Sequence, residues 1–107
     1  MNIKFFDVLR APCPERVDAE VEKILEETLI RHLPPCDRLI VSSYYGIGVD
    51  PVTRAALAKN MNLSYDKVGE IRKRAVAKLR QPSCREPLVV ALEEYVSSLF
   101  VASQESN

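Results

Sequence analysis

Apolar residues recur at helical spacing in five stretches of this chain, punctuated by prolines and glycines. Between Glu15 and Leu33, Val17, Val21, Ile24, Leu25, Thr28 and Leu29 return every three or four positions with acidic residues between them. That spacing predicts an amphipathic helix. Pro34 and Pro35 end it, because neither supplies an N–H and each biases its predecessor away from helix. A shorter helix is expected over Asp37–Tyr45, stopped by Gly46 and Gly48, and Asp50-Pro51 reads as a turn. Thr53 can cap the next helix, with Ala56, Leu57 and Met61, or Ala55 and Ala58, turned inward. Asn62 stands where a left-handed residue closes that helix. Ser64 is an N-cap candidate for a longer helix carrying Val68, Ile71, Ala75 and Leu79 on one face. Pro82 and Pro87 bracket an expected break. A last helix then runs from Pro87 to Ala102, with Leu88, Leu92, Tyr95 and Leu99 on one row and Val89, Val96 and Phe100 beside it. The tail SQESN is expected to fray. Residues 2–10 fit either an extended segment or a short helix.

The fold class that follows is all-α, about five helices in one compact domain. It divides into an N-terminal segment and helix (1–32), a helix-turn-helix region (33–85) and a C-terminal helix with its tail (86–107). At 107 residues the chain has room for a modest core, and 47% hydrophobic content with three glycines suits an ordered protein. No apolar run reaches the length of a membrane span, and the start MNIKFFDVLR is not a signal peptide, so a cytoplasmic location is expected.

Net charge is zero, but it is unevenly spread. Residues 33–85 hold ten basic against four acidic side chains, a net of +6, while 1–32 carry −2 and 86–107 carry −4. A basic centre between acidic flanks is an electrostatic footprint for nucleic acid. Much of it lies on the helix after Ser64, which displays Lys67, Arg72, Lys73, Arg74 and Lys78. Two amphipathic helices with a short turn between them, the second basic, have the layout of a DNA-docking unit.

Cys13, Cys36 and Cys84 show no metal-ligand spacing, and Pro34 and Pro35 separate His32 from Cys36. No metal and no cofactor are expected. His32 reads as a favourable positive charge at a helix C-terminus. With no nucleophile–base pairing, no Gly-rich phosphate loop and one histidine, an enzyme is not expected.

The segments LPP, Asp37-Arg38, Tyr45-Gly46-Ile47-Gly48, Leu57-Ala58, Leu63-Ser64, Val68, Ile71, Arg74-Ala75, Lys78-Leu79-Arg80 and Gln81-Pro82-Ser83 fall in a distinctive order. In that order they resemble the fourth conserved region of bacterial sigma factors, here as a free-standing small protein. The resemblance implies transcription initiation: contact with the flap of the RNA polymerase β subunit, and docking on the upstream promoter element. It places Ile40, Val41, Tyr45, Ile47 and Leu57 in or behind the apolar concavity that takes the flap. The remaining sigma regions do not fit in 107 residues.

The helix-turn-helix departs from the family where bases are read. Where the family typically has Arg, Glu, Arg and Gln, this chain has Tyr65, Asp66, Gly69 and Glu70. Guanine is best read by a bidentate Arg and adenine by Asn or Gln, so the usual readers are gone. Thr53, Arg54, Lys59, Lys67, Arg72, Lys73 and Arg74 remain as a DNA-facing set, the cations among them suited to phosphate. In the preceding helix Leu39 and Tyr44 stand where the family often has charge, and Ser43 where it is commonly apolar. The expected function is therefore a transcription regulator that binds RNA polymerase, and promoter DNA with altered or weak specificity. It would complement a second sigma-like subunit or compete for the flap. The alternatives are a helix-turn-helix repressor or activator dimerising through its last helix, and an adaptor that binds only protein.

Overall fold

The computed structural model describes residues 4–14 and 17–105, with side chains through Leu99. Six helices account for the regular structure: α1 Lys4–Leu9, α2 Ala19–His32, α3 Pro35–Tyr45, α4 Arg54–Met61, α5 Tyr65–Leu79 and α6 Pro82–Glu105. The all-helical class holds, with one helix more than the hydrophobic pattern counted.

The additional helix is α1. Phe5, Phe6 and Leu9 are all buried, which draws this short segment onto the body of the protein. Arg10 closes it in the left-handed conformation (φ 57°), so that the Ala11 N–H reaches back to the Phe6 carbonyl at 3.0 Å. This is the Schellman closure, usually given to Gly. Two arginines distant in sequence take up carbonyls at the end of α1 and just beyond it: Arg80 Nε donates to Val8 O at 2.6 Å and Arg85 Nη1 to Arg10 O at 2.9 Å. Helix C-termini leave such carbonyls unmet and favour nearby cations.

The second helix starts later than its hydrophobic pattern suggests. Asp18 is extended (φ −102°, ψ −175°) and its Oδ1 accepts from the Val21 N–H at 3.1 Å. A capping residue stands outside the helix it caps, so α2 begins at Ala19 and Val17 packs half-buried ahead of it. Glu15, the expected start, lies outside the described residues. The double proline ends α2 as expected and also opens α3. Pro34 is the N-cap and Pro35 the first helical residue, where a missing N–H costs nothing, so α3 starts two residues before Asp37.

The largest difference lies at α6. No break separates Pro82 from Pro87; the helix is continuous and carries Pro87 inside it. An interior proline forfeits one backbone bond and costs about 3 kcal/mol. The burial of Leu88 and Leu92 just beyond it offsets that cost, at roughly 1.5–3 kcal/mol for each side chain. The helix also runs three residues past the expected Ala102 end.

Two apolar clusters hold the helices together. The larger draws on α1, α2, one side of α3, Ala75, Val76 and Leu79 of α5, and Leu88 and Leu92 of α6. The smaller joins Ile40 of α3 to Leu57 and Ala58 of α4 and to Val68 and Ile71 of α5. Thus α5 gives its first half to α4 and its second half to the main core, with Tyr44 packed against both clusters. At the opposite end, the Tyr95 hydroxyl donates to Asp18 Oδ2, tying α6 to the start of α2.

The apolar band of α6 is only partly covered. Leu88 and Leu92 are buried and Val89 and Tyr95 half-buried, whereas Val96 and Leu99 stand about half exposed. The side chain of Phe100 lies outside the described residues. Among the described residues, no helix is long and apolar enough to cross a membrane.

Candidate nucleic-acid interface

Three local hydrogen bonds build the α4–turn–α5 unit. Thr53 Oγ1 accepts from the Ala56 N–H at 3.1 Å and Ser64 Oγ from the Lys67 N–H at 3.0 Å, capping the two helices. Asn62 is left-handed (φ 55°, ψ 43°), and the Leu63 N–H returns to the Ala58 carbonyl at 2.9 Å. Upstream, Gly46 closes α3 in the same way at φ 70°. The four expected inward residues of α5, Val68, Ile71, Ala75 and Leu79, are all buried. On α4, Leu57 and Ala58 are buried, Ala56 and Met61 half-buried, and Ala55 exposed.

The substituted face of α5 turns out to have an intramolecular partner. Arg54, at the start of α4, lays its guanidinium across the first turns of α5. Its Nε donates to the Tyr65 carbonyl at 2.7 Å, its central carbon sits 3.8 Å from the centre of the Tyr65 ring, and Nη2 lies 3.7 Å from Asp66 Oδ1. Gly69 is what makes room. A Cβ at that position would stand 2.2 Å from Arg54 Nη2 and 2.4 Å from its Cζ. Tyr65, Asp66 and Gly69 therefore form one cradle for one arginine. Glu70 pairs with Lys67 at 3.9 Å.

Two of the expected phosphate ligands, Arg54 and Arg72, are held by their own chain. Arg54 is engaged on its own chain, with its side chain only 25% exposed. Arg72 is half-buried: its Nη1 donates to the Tyr45 hydroxyl at 3.1 Å, and its guanidinium lies 4.8 Å from the Tyr44 ring. The Nε of Arg72 is buried and has no hydrogen-bond partner among the described residues. Arg74 remains on the surface but reaches back to Asp37 at 3.6 Å. Lys59, Lys67 and Lys73 are exposed, as are Tyr65, Asp66 and Glu70. Two carboxylates thus share the leading face of α5 with its cations. Asp and Glu can accept a hydrogen bond from the amino group of cytosine, but they repel phosphate.

The five residues assigned to flap contact lie elsewhere. Ile40, Val41, Tyr45, Ile47 and Leu57 are 0–4% exposed. All five are core side chains that can support a contact surface but offer none themselves. Large apolar side chains that do reach the surface include Ile30 on α2, Leu39 on α3 and Val49 on the loop after α3. Leu39 was legible as an apolar residue in a normally charged position. Ile30 was not singled out, because it falls outside the row that defines the inner face of α2.

The cradle sets up a stability test. Gly69→Ala gains about 1 kcal/mol of helix propensity wherever the new methyl meets no obstacle. With Arg54→Ala already in place we expect that gain in urea denaturation; with Arg54 present the methyl evicts the guanidinium and most of the gain disappears. Equal gains in both backgrounds would show that the two residues do not interact.

Comparisons with protein-family models, curated proteins and solved structures found no match to this chain.

Proposed function

We propose that this protein regulates transcription by binding RNA polymerase, in the manner that its resemblance to the fourth region of sigma factors implies, with DNA contact limited to the phosphate backbone. The observation that supports this reading best is the pair α4 and α5, capped by Thr53 and Ser64 and turned at Asn62, with an exposed basic second helix. The proposed flap contact uses exposed apolar side chains such as Leu39 and Val49, because Ile40, Val41, Tyr45, Ile47 and Leu57 are buried. Calorimetric titration of a bacterial β-flap fragment should give micromolar or tighter binding, weakened at least about tenfold by Leu39→Asp. Absence of association with the unmodified chain would remove the reading.

DNA binding is expected to be weak, salt-dependent and indifferent to sequence. Lys59, Lys67, Lys73 and Arg74 supply the charge, and Lys59→Ala or Lys73→Ala should each lower the salt slope by about one while affecting all duplexes alike. A duplex whose affinity collapses on single base changes would show that Tyr65, Asp66 or Glu70 reads bases. The Arg54 cradle favours a second reading, an adaptor on polymerase that touches no DNA at all. Retained flap binding with no shift of any duplex at low salt would select it.

A further inference from the structure

We propose that the cleft between the α3–α4 loop and α5 binds a phosphoryl oxyanion held between the guanidinium groups of Arg54 and Arg72. The cleft is open to solvent, has a volume of about 450 Å³ and is lined by Tyr44, Pro51, Val52, Thr53 and Tyr65 together with those two arginines. A volume of that order suits a small ligand.

The charge balance of the cleft is what calls for an anion. Arg54 has one carboxylate near it, Asp66, whose side chain is 94% exposed and so largely screened by water. Arg72 has none: among the described residues its polar contact is the Tyr45 hydroxyl, and its charge otherwise faces the Tyr44 ring. A half-buried guanidinium without a counter-charge is an unfavourable arrangement, and its Nε–H is left without an acceptor. An oxyanion in the cleft supplies the missing charge.

Geometry favours phosphoryl over carboxylate. One carboxylate matches one guanidinium fork, whereas a phosphoryl group has additional oxygens to serve a second. The two cations are held in place before any ligand arrives, Arg54 by the Tyr65 carbonyl and ring and Arg72 by Tyr45. Little rotamer freedom is then lost on binding. The hydroxyl of Thr53 accepts from the Ala56 N–H and still carries its own proton to donate.

The site can be tested without polymerase, by adding inorganic phosphate to the full 15N-labelled chain at constant ionic strength and following amide and arginine Nε–H resonances. We expect saturable shifts confined to Tyr44, Val52, Thr53, Arg54 and the Arg72 Nε–H, with affinity reduced at least about tenfold in Arg54→Gln. Arg72→Lys should act likewise, and its spectrum reports whether the fold is intact. Non-saturating shifts spread over Lys59, Lys73 and Lys78 would overturn the proposal, as would unchanged affinity in a folded Arg54→Gln protein. A duplex added to the phosphate-bound chain separates the two sources of such a group. Displacement of phosphate assigns the cleft to a nucleic-acid backbone; persistence of the shifts assigns it to a free phosphorylated compound.

Discussion

Phe5→Ala should cost about 3–5 kcal/mol of folding stability, a large part of the 5–15 kcal/mol typical of a whole domain. Phe5 is 0% exposed, and its ring lies 4.8 Å from that of Tyr45. Removing it empties space beside Phe6 and Leu9 and loosens the Tyr45 ring whose hydroxyl holds Arg72. The loss therefore extends beyond the ring deleted, because a cavity in a close-packed interior collapses only in part. Urea denaturation of the two proteins measures it. A loss below about 1 kcal/mol would mean that α1 is not part of the core.

The interest of this prediction lies in how little the sequence signalled it. Residues 2–10 are too few to display a helical period, and the left-handed Arg10 that closes α1 is not a residue type that announces such a turn. Asparagine does announce it, and Asn62, Thr53 and Ser64 were all placed correctly from residue type and position alone. Local rules suffice where a single hydrogen bond decides the conformation. They fail where the deciding partner is remote in sequence, as with Arg80 and Arg85 on the carbonyls at and just beyond the end of α1.

The same distinction governs the candidate interface. Tyr65, Asp66, Gly69 and Glu70 were visible as departures from a pattern, but their common partner was not. Arg54 lies eleven residues before Tyr65, and by its position it reads as one more phosphate ligand. Gly69 on its own suggests only a weakened helix. Its purpose is apparent once the guanidinium is seen to fill the space a side chain would take. Burial misled in the same direction for Arg72, since its long stem carries a charged group from an exposed-looking helix position inward to Tyr45. Both arginines are held by partners on their own chain, and both line one cleft.

Ending the chain at Pro87 should abolish cooperative folding, whereas ending it after Ser97 should change stability by no more than about 1 kcal/mol. The first truncation removes Leu88 and Leu92, which are 2% and 3% exposed in the main cluster, along with half-buried Val89 and Tyr95. Each buried leucine stabilises by roughly 1.5–3 kcal/mol, and the hydrogen bond from Tyr95 to the Asp18 carboxylate is lost as well. The sum is comparable to the stability of the whole domain. The second truncation keeps all of these contacts and removes Leu99, which is already 51% exposed. From the sequence the apolar band looks uniform along the helix, and it fits packing on the chain's own core as well as a dimer interface. A test for a dimer interface therefore belongs at the distal end, because the proximal half of the band belongs to the core. Light scattering on the full chain and on the chain ended after Ser97 should find monomers of the same fold. A dimer that dissociates only in the shorter chain would show that Leu99 and its surroundings meet a second copy.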